Sequence, residues 1–357
     1  MSVLFFTTLL TYAPKNPTVL RSPHVLMQTM YDLRVISNHD YTCWFQKQPD
    51  YHRYVIPDLE FQNRSYEYLS VTNVGVNFAY GSVDHQLWDT TINWIDIFHD
   101  RSENYVVKKI NEKFREVSKG EISQFMNSSQ YNYDWYISLF SMATLKPVWK
   151  YGFSEFHTCT FETPESIRTN FMQTPELAIN YASIDKFTAV ELPLENKFYS
   201  LLLLLPNKGD NIDHFVTTID TPKLMGIYRQ LEPTNLTVVI PRNTFEDWHY
   251  SKNIYTQSNF AKPFYEFIYR PVRDQAQHPL NERVQKLKVV FDTNGVENAK
   301  PLENRKVNKL FLANRPFWFL FVERRVNVIL LVGHIKKPGM EMHELNDAMG
   351  CPQVEIS

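Results

Sequence analysis

The last fifty residues constrain this chain more than any other stretch. Asn314-Arg315-Pro316 opens an apolar run from Phe317 to Val322, closed by Glu323. After Arg324-Arg325 a second run, Val326 to Ile335, ends at Lys336-Lys337-Pro338. Neither run alternates apolar with polar residues, so neither can leave one face in water. Strands covered on both faces accommodate such runs, and the two are expected to pair as a buried hairpin.

At 357 residues the chain has room for one large domain or two ordinary ones. A net charge of −2 supplies no basic field, which sets nucleic acid and anionic membrane aside as partners. Aromatic residues reach 15%, with 25 Phe and 20 Tyr, and favour a strand-rich core. Ten glycines in the whole chain leave little material for phosphate loops. Cys43, Cys159 and Cys351 match no zinc or C-x-x-C spacing; buried thiols are the main reading, one disulfide plus one thiol the alternative. The opening Met1 to Leu10 lacks a cationic start and a small-x-small cleavage site. It is read as a helix of the fold, with the secretion leader already absent. Sequons stand at Asn63, Asn127 and Asn235 and mark possible glycosylation.

Along the chain, residues 3–31 read as two helical segments separated at Pro14 to Pro17, the second opened by Ser22-Pro23. Residues 69–80 read as a strand. Apolar positions at Val106, Val107, Ile110, Phe114, Val117 and Ile122 predict a helix over 105–125. Strands are expected at 134–145, 187–194, 198–205, 236–240 and 281–292. Helices in the first third and strands in the rest indicate an α+β fold in one domain. A domain over 1–338 would leave 339–357 as a flexible extension.

Several segments resemble signatures of the serpin family, in that family's order. Phe5 to Tyr12 and Ser22-Pro23 resemble its first helix and the start of its second. Leu69-x-Val71-x-Asn73 resembles a strand motif, and Ile110-Asn111 with Gly120-Glu121-Ile122 resembles a helix and its exit. Ser141 to Trp149 with Phe153, Val190-Glu191-Leu192-Pro193, and Ser200 to Pro206 resemble three more. The 314–338 hairpin resembles the family's closing pair. The resemblance covers about residues 5–338. It implies a serpin fold of three β-sheets with about eight helices, an exposed reactive loop over 295–312, no enzyme activity and no cofactor or metal.

The family inhibits by trapping a protease while the cleaved loop inserts as a new central strand of the main sheet. The matching hinge here is Thr293-Asn294-Gly295-Val296-Glu297-Asn298-Ala299-Lys300-Pro301-Leu302. Pro301 has no N–H to give a central ladder. Alternation would turn Val296, Asn298, Lys300 and Leu302 inward, and burying an unpaired amide costs roughly 2–7 kcal/mol. Matching places the scissile bond at Arg305-Lys306, so the inserted strand would reach only ~33 Å at roughly 3.3 Å per residue. By motif matching, the region that opens the sheet holds Ser22, Val25, Ser141 and Gln285, with Trp149 close in sequence to Ser141; Val25, Ser141 and Gln285 replace the family's usual residues.

The resemblance therefore implies a secreted, non-inhibitory serpin, a monomeric haemolymph-type glycoprotein that binds or regulates another protein. A protease would act on it only as a cleaver of substrate. The alternative is an inhibitor of a trypsin-like protease with Arg305 as bait. An unrelated enzyme is disfavoured, because His157, Asp213 and His249 are organised by no G-x-S-x-G or H-E-x-x-H motif. A small-molecule carrier role stays open.

Overall fold

A computed structural model of the protein describes residues 18–22, 25, 68–76, 93–97, 103–132, 134–135, 137–164, 166–210, 221–250, 280–293, 309–325 and 328–338. The chain divides into two compact units. The first comprises Met1–Pro23, Leu145–Glu246 and Val289–Ser357; the second comprises His24–Thr144 and Asp247–Lys288.

The described strands are β1 (Thr18–Arg21), β2 (Tyr68–Val76), β3 (Asn93–Asp96), β4 (Ile137–Leu145), β5 (Ser154–Phe161), β6 (Ile167–Gln173), β7 (Leu177–Ile184) and β8 (Phe187–Pro193). They continue as β9 (Tyr199–Pro206), β10 (Glu232–Pro241), β11 (Asn243–Tyr250), β12 (Glu282–Phe291), β13 (Leu310–Leu312), β14 (Phe317–Glu323) and β15 (Val328–Ile335). Among the described residues there are two α-helices, α1 (Glu103–Val117) and α2 (Thr221–Gln230). The expected count of about eight is therefore not met among the residues described.

Among the described residues the strands make two sheets, so the expected third is not shown. The larger has ten strands in the order β1-β15-β14-β9-β8-β7-β10-β6-β5, with β13 added on β10. Continuity comes from β10. Its first half pairs with β7 (Leu236 opposite Leu177), and its second half pairs with β6 (Val239 opposite Gln173). One unbroken strand thus joins what would otherwise be separate layers. The second sheet has five strands in the order β11-β12-β4-β2-β3.

The C-terminal hairpin forms as its composition requires. β14 pairs antiparallel with β15 on one side and with β9 on the other. Alternation then divides the side chains between two covered faces. Leu202, Leu204, Trp318, Leu320 and Val322 pack with Leu224 and Ile227 of α2. Phe319 and Phe321 belong to the other set, where Phe319 meets the Phe291 ring at 5.2 Å and Phe321 stacks on Tyr199. Leu201 to Leu205 are all buried, and each contributes roughly 1.5–3 kcal/mol relative to exposure.

Thr18–Arg21, between the two expected helical segments, is a strand whose Val19 and Leu20 are buried where β1 pairs with β15. One local expectation differs. The 105–125 helix stops at Val117: Lys119 takes a left-handed φ of 53° with its N–H on the Glu116 carbonyl at 3.0 Å, and the N–H of Gly120 (φ 90°) returns to the Arg115 carbonyl at 2.8 Å. That left-handed turn ends the helix, so Ile122 is buried from a loop instead of from a helical face.

Gly333 sits where a Cβ would collide with the Cε1–Cζ edge of the Phe319 ring and lie 2.9 Å from Leu20. Gly333→Ala should therefore cost about 3 kcal/mol by overpacking, read as a lowered denaturation midpoint in urea. Next to it, His334 is buried and stacked on Trp318 with ring centroids 4.2 Å apart. Its Nε2 has no hydrogen-bond partner among the described residues. Burial, helped by Lys336, lowers its pKa to about 3. Below pH ~6.5 the unfolded chain takes up a proton that the folded one refuses. Stability should therefore fall between pH ~6.5 and ~3, by up to about 1.4 kcal/mol per pH unit from this group. His334→Phe should flatten that part of a stability–pH curve.

Candidate functional site

The candidate site is the place where β12 ends and the loop leaves, together with the seam between β12 and β4. Gly295, Val296, Asn298, Lys300, Pro301, Arg305 and Lys306 lie outside the described residues, as does Asn63. Thr293, Ser22, Val25, Ser141, Trp149 and Gln285 are described.

β4 and β12 are direct neighbours in the five-stranded sheet. Their contacts ascend together, 137 with 281 and 141 with 284, so the two strands run parallel. Side chains fasten this seam at several heights. Asn281 accepts the Ile137 N–H on Oδ1 at 2.9 Å and gives its own N–H to the Ile137 carbonyl at 2.8 Å. Ser141 Oγ, fully buried, donates to the Val284 carbonyl at 3.3 Å. Beyond the strand ends, Trp149 Nε1 donates to the Asp292 carbonyl at 2.8 Å. The Trp149 ring is held against Phe153 and Phe291 at 4.9 and 6.1 Å.

The loop's near end is an ionic knot. Asp292 Oδ1 accepts from the Thr293 N–H and from Arg242 Nε, both at 2.8 Å. Arg242 also holds Glu155 through a second nitrogen. Burial alone would raise the Asp292 pKa; the Thr293 N–H, Arg242 and Lys146 outweigh it and hold the carboxyl below its ordinary range. The far end is fixed differently. The Thr237 N–H donates to the Lys309 carbonyl at 3.0 Å, and the Lys309 ammonium lies 3.7 Å from the centre of the Tyr181 ring. β13 then runs parallel to β10, with Phe311 opposite Val238.

The matched sheet-opening residues fall in different units. In the first, Ser22 Oγ donates to the Leu330 carbonyl at 2.7 Å. In the second, Val25, Ser141 and Gln285 are all buried, and the Gln285 amide nitrogen has no partner among the described residues. Sequence reasoning missed Asn281, Arg242, Asp292, Lys309 and Tyr181. Arg242 directly follows a strand-ending proline, and Asp292 breaks an apolar run; neither signal is specific. Of the scattered catalytic types, His249 Nδ1 lies 3.6 Å from Asp247. Asn127 and Asn235 are exposed, and Cys159 is a buried thiol.

A sequence model of the family described as serpin (serine protease inhibitor) matches residues 72–338, and the chain belongs to that family. A relative from Aedes aegypti, described as an FXa-directed anticoagulant, is 29% identical over 240 residues. That match covers 66% of this chain and 58% of the relative, so the chain spans under two thirds of that protein's length. Serpin-12 of Manduca sexta superposes with a TM-score of 0.77 at 14% identity, covering 95% of this chain and 99% of the other. A tumour-suppressing serpin gives 0.76 at 15% identity, over 95% and 100%. These likenesses establish the serpin fold, with its large sheet and a second sheet. No described helix is long and apolar enough to cross a membrane.

Asn281→Ala should cost about 1–3 kcal/mol, because two backbone groups of Ile137 lose a partner or its alignment. Hydrogen exchange at Ile137 should accelerate correspondingly. Trp149→Phe keeps the ring and removes only the N–H, so its cost should be about 1 kcal/mol in the same assay.

Proposed function

We propose that the chain is a secreted serpin whose loop does not insert, and that it works by binding or regulating a protein partner without trapping a protease. Residues 1–338 act as one serpin domain, 339–357 as an extension, and the molecule as a monomer. The observation that carries this reading is the fastened β4–β12 seam. An inserting strand would have to break the Asn281, Ser141 and Trp149 bonds. It would then have to offer both new neighbours a complete ladder. The hinge sequence is poorly suited to that exchange: Pro301 lacks a donor and Lys300 brings a charge into a buried layer.

A second reading is favoured by the mosquito relative described as FXa-directed. On it, Arg305 is presented as bait to a protease of trypsin-like preference, and inhibition follows the family pattern.

Mixing with trypsin separates the two. Clean cleavage within 295–312, no SDS-stable complex and an unchanged thermal midpoint are expected. A covalent complex through Arg305 with a raised midpoint after cleavage would sink the first reading. Replacing Val296 to Leu302 by a longer alanine-rich hinge should restore partial trapping. If it stays inert, the block lies in the seam at Val25, Ser141 and Gln285 rather than in the loop.

A further inference from the structure

Three sequons are present, and they are not equivalent. Asn63 lies outside the described residues. Asn235 is inside β10, its backbone in register with Ala178, and its sequon hydroxyl on Thr237 is buried. Asn127 is exposed on the turn that follows α1 and its exit loop, as is Ser129. Its Oδ1 accepts the Ser129 hydroxyl at 2.7 Å, and its Nδ2 has no partner among the described residues.

Asn127 also stands at the edge of a groove of about 360 Å³ beside α1. α1 lines one side with Asn104, Val107, Lys108, Asn111, Glu112 and Arg115; Gln124 and Ser128 line the other. Amides, an ammonium, a guanidinium, a carboxylate and a hydroxyl ring a floor to which the buried Val107 contributes. Donors and acceptors spaced around one small apolar spot suit a sugar ring bearing hydroxyls and an acetamido methyl. The volume is near the lower end for small-ligand sites, ~300 Å³.

We propose that Asn127 carries an N-linked glycan whose first N-acetylated sugar lies along this groove. The donor is a lipid-linked oligosaccharyl pyrophosphate of the secretory pathway. The Asn127 Nδ2 loses one proton and bonds to the anomeric carbon, whose bond to the pyrophosphate oxygen breaks, and the lipid pyrophosphate leaves. The proposal rests on the secretion reading above.

The test expresses the full chain in eukaryotic cells behind a borrowed secretion leader. Peptides are mapped by mass spectrometry after enzymatic glycan release in heavy-oxygen water, which labels each occupied asparagine. Asn127 should carry the label; Ser129→Ala and Asn127→Gln should abolish it, and Ser129→Thr should keep it. Secreted protein with Asn127 unlabelled, whether or not Asn63 or Asn235 is labelled, overturns the proposal. For the groove, a Lys108→Ala/Glu112→Ala variant should keep full occupancy but release the glycan severalfold faster from the native protein. Equal release rates overturn the placement of the sugar. Locating the native protein in extracellular fluid or inside cells decides the secretion reading separately, so the two failures are distinguishable.

Discussion

The behaviour of this protein turns on two parallel strands, β4 and β12, lying side by side with nothing between them. β4 is buried along its whole length. Parting it from β12 exposes apolar area and backbone groups together, and each unpaired buried group costs about 1–3 kcal/mol. Asn281 adds a two-way bond at the lower end, Ser141 a buried one in the middle, and Trp149 one beyond the top. A seam closed by ladder bonds alone can be reopened by any strand that replaces them. One reinforced by side chains can be reopened only by a strand that also compensates those side chains.

The two ends of the loop are held by different physics. The near end depends on charge: Asp292 is neutralised by Arg242, which also engages Glu155. The far end depends on a lysine over an aromatic ring and on strand pairing with β10. Salt weakens the first more than the second. The described residues on either side of 294–308 are thus each held in place, Asp292 by charge and Lys309 by a ring and a strand.

Much of the fold was legible in the sequence because long apolar runs can be satisfied in few ways. The 314–338 hairpin, the Leu201 to Leu205 strand and its partner at 187–193 follow from that rule. The short strand at Thr18–Arg21 was not legible, since four residues carry no period and its partner lies at the other end of the chain. The end of α1 was missed because apolar spacing continued past Val117, while the left-handed pair Lys119 and Gly120 decided the matter. The site was legible only in part. Trp149 and Ser141 were singled out through the family pattern, and the structure places both in bonds to β12 or its end. Asn281 and Arg242 did not, because each acts on a residue far along the chain, 144 and 50 positions away. No local pattern records such a pairing.

β10 does two jobs with ten residues. Its first half is welded to β7, and its second half is the socket into which β13 plugs. A pull on the chain entering β13 would therefore load a continuous strand anchored in the ten-stranded sheet. Such a mounting passes a load along the sheet instead of absorbing it at the joint.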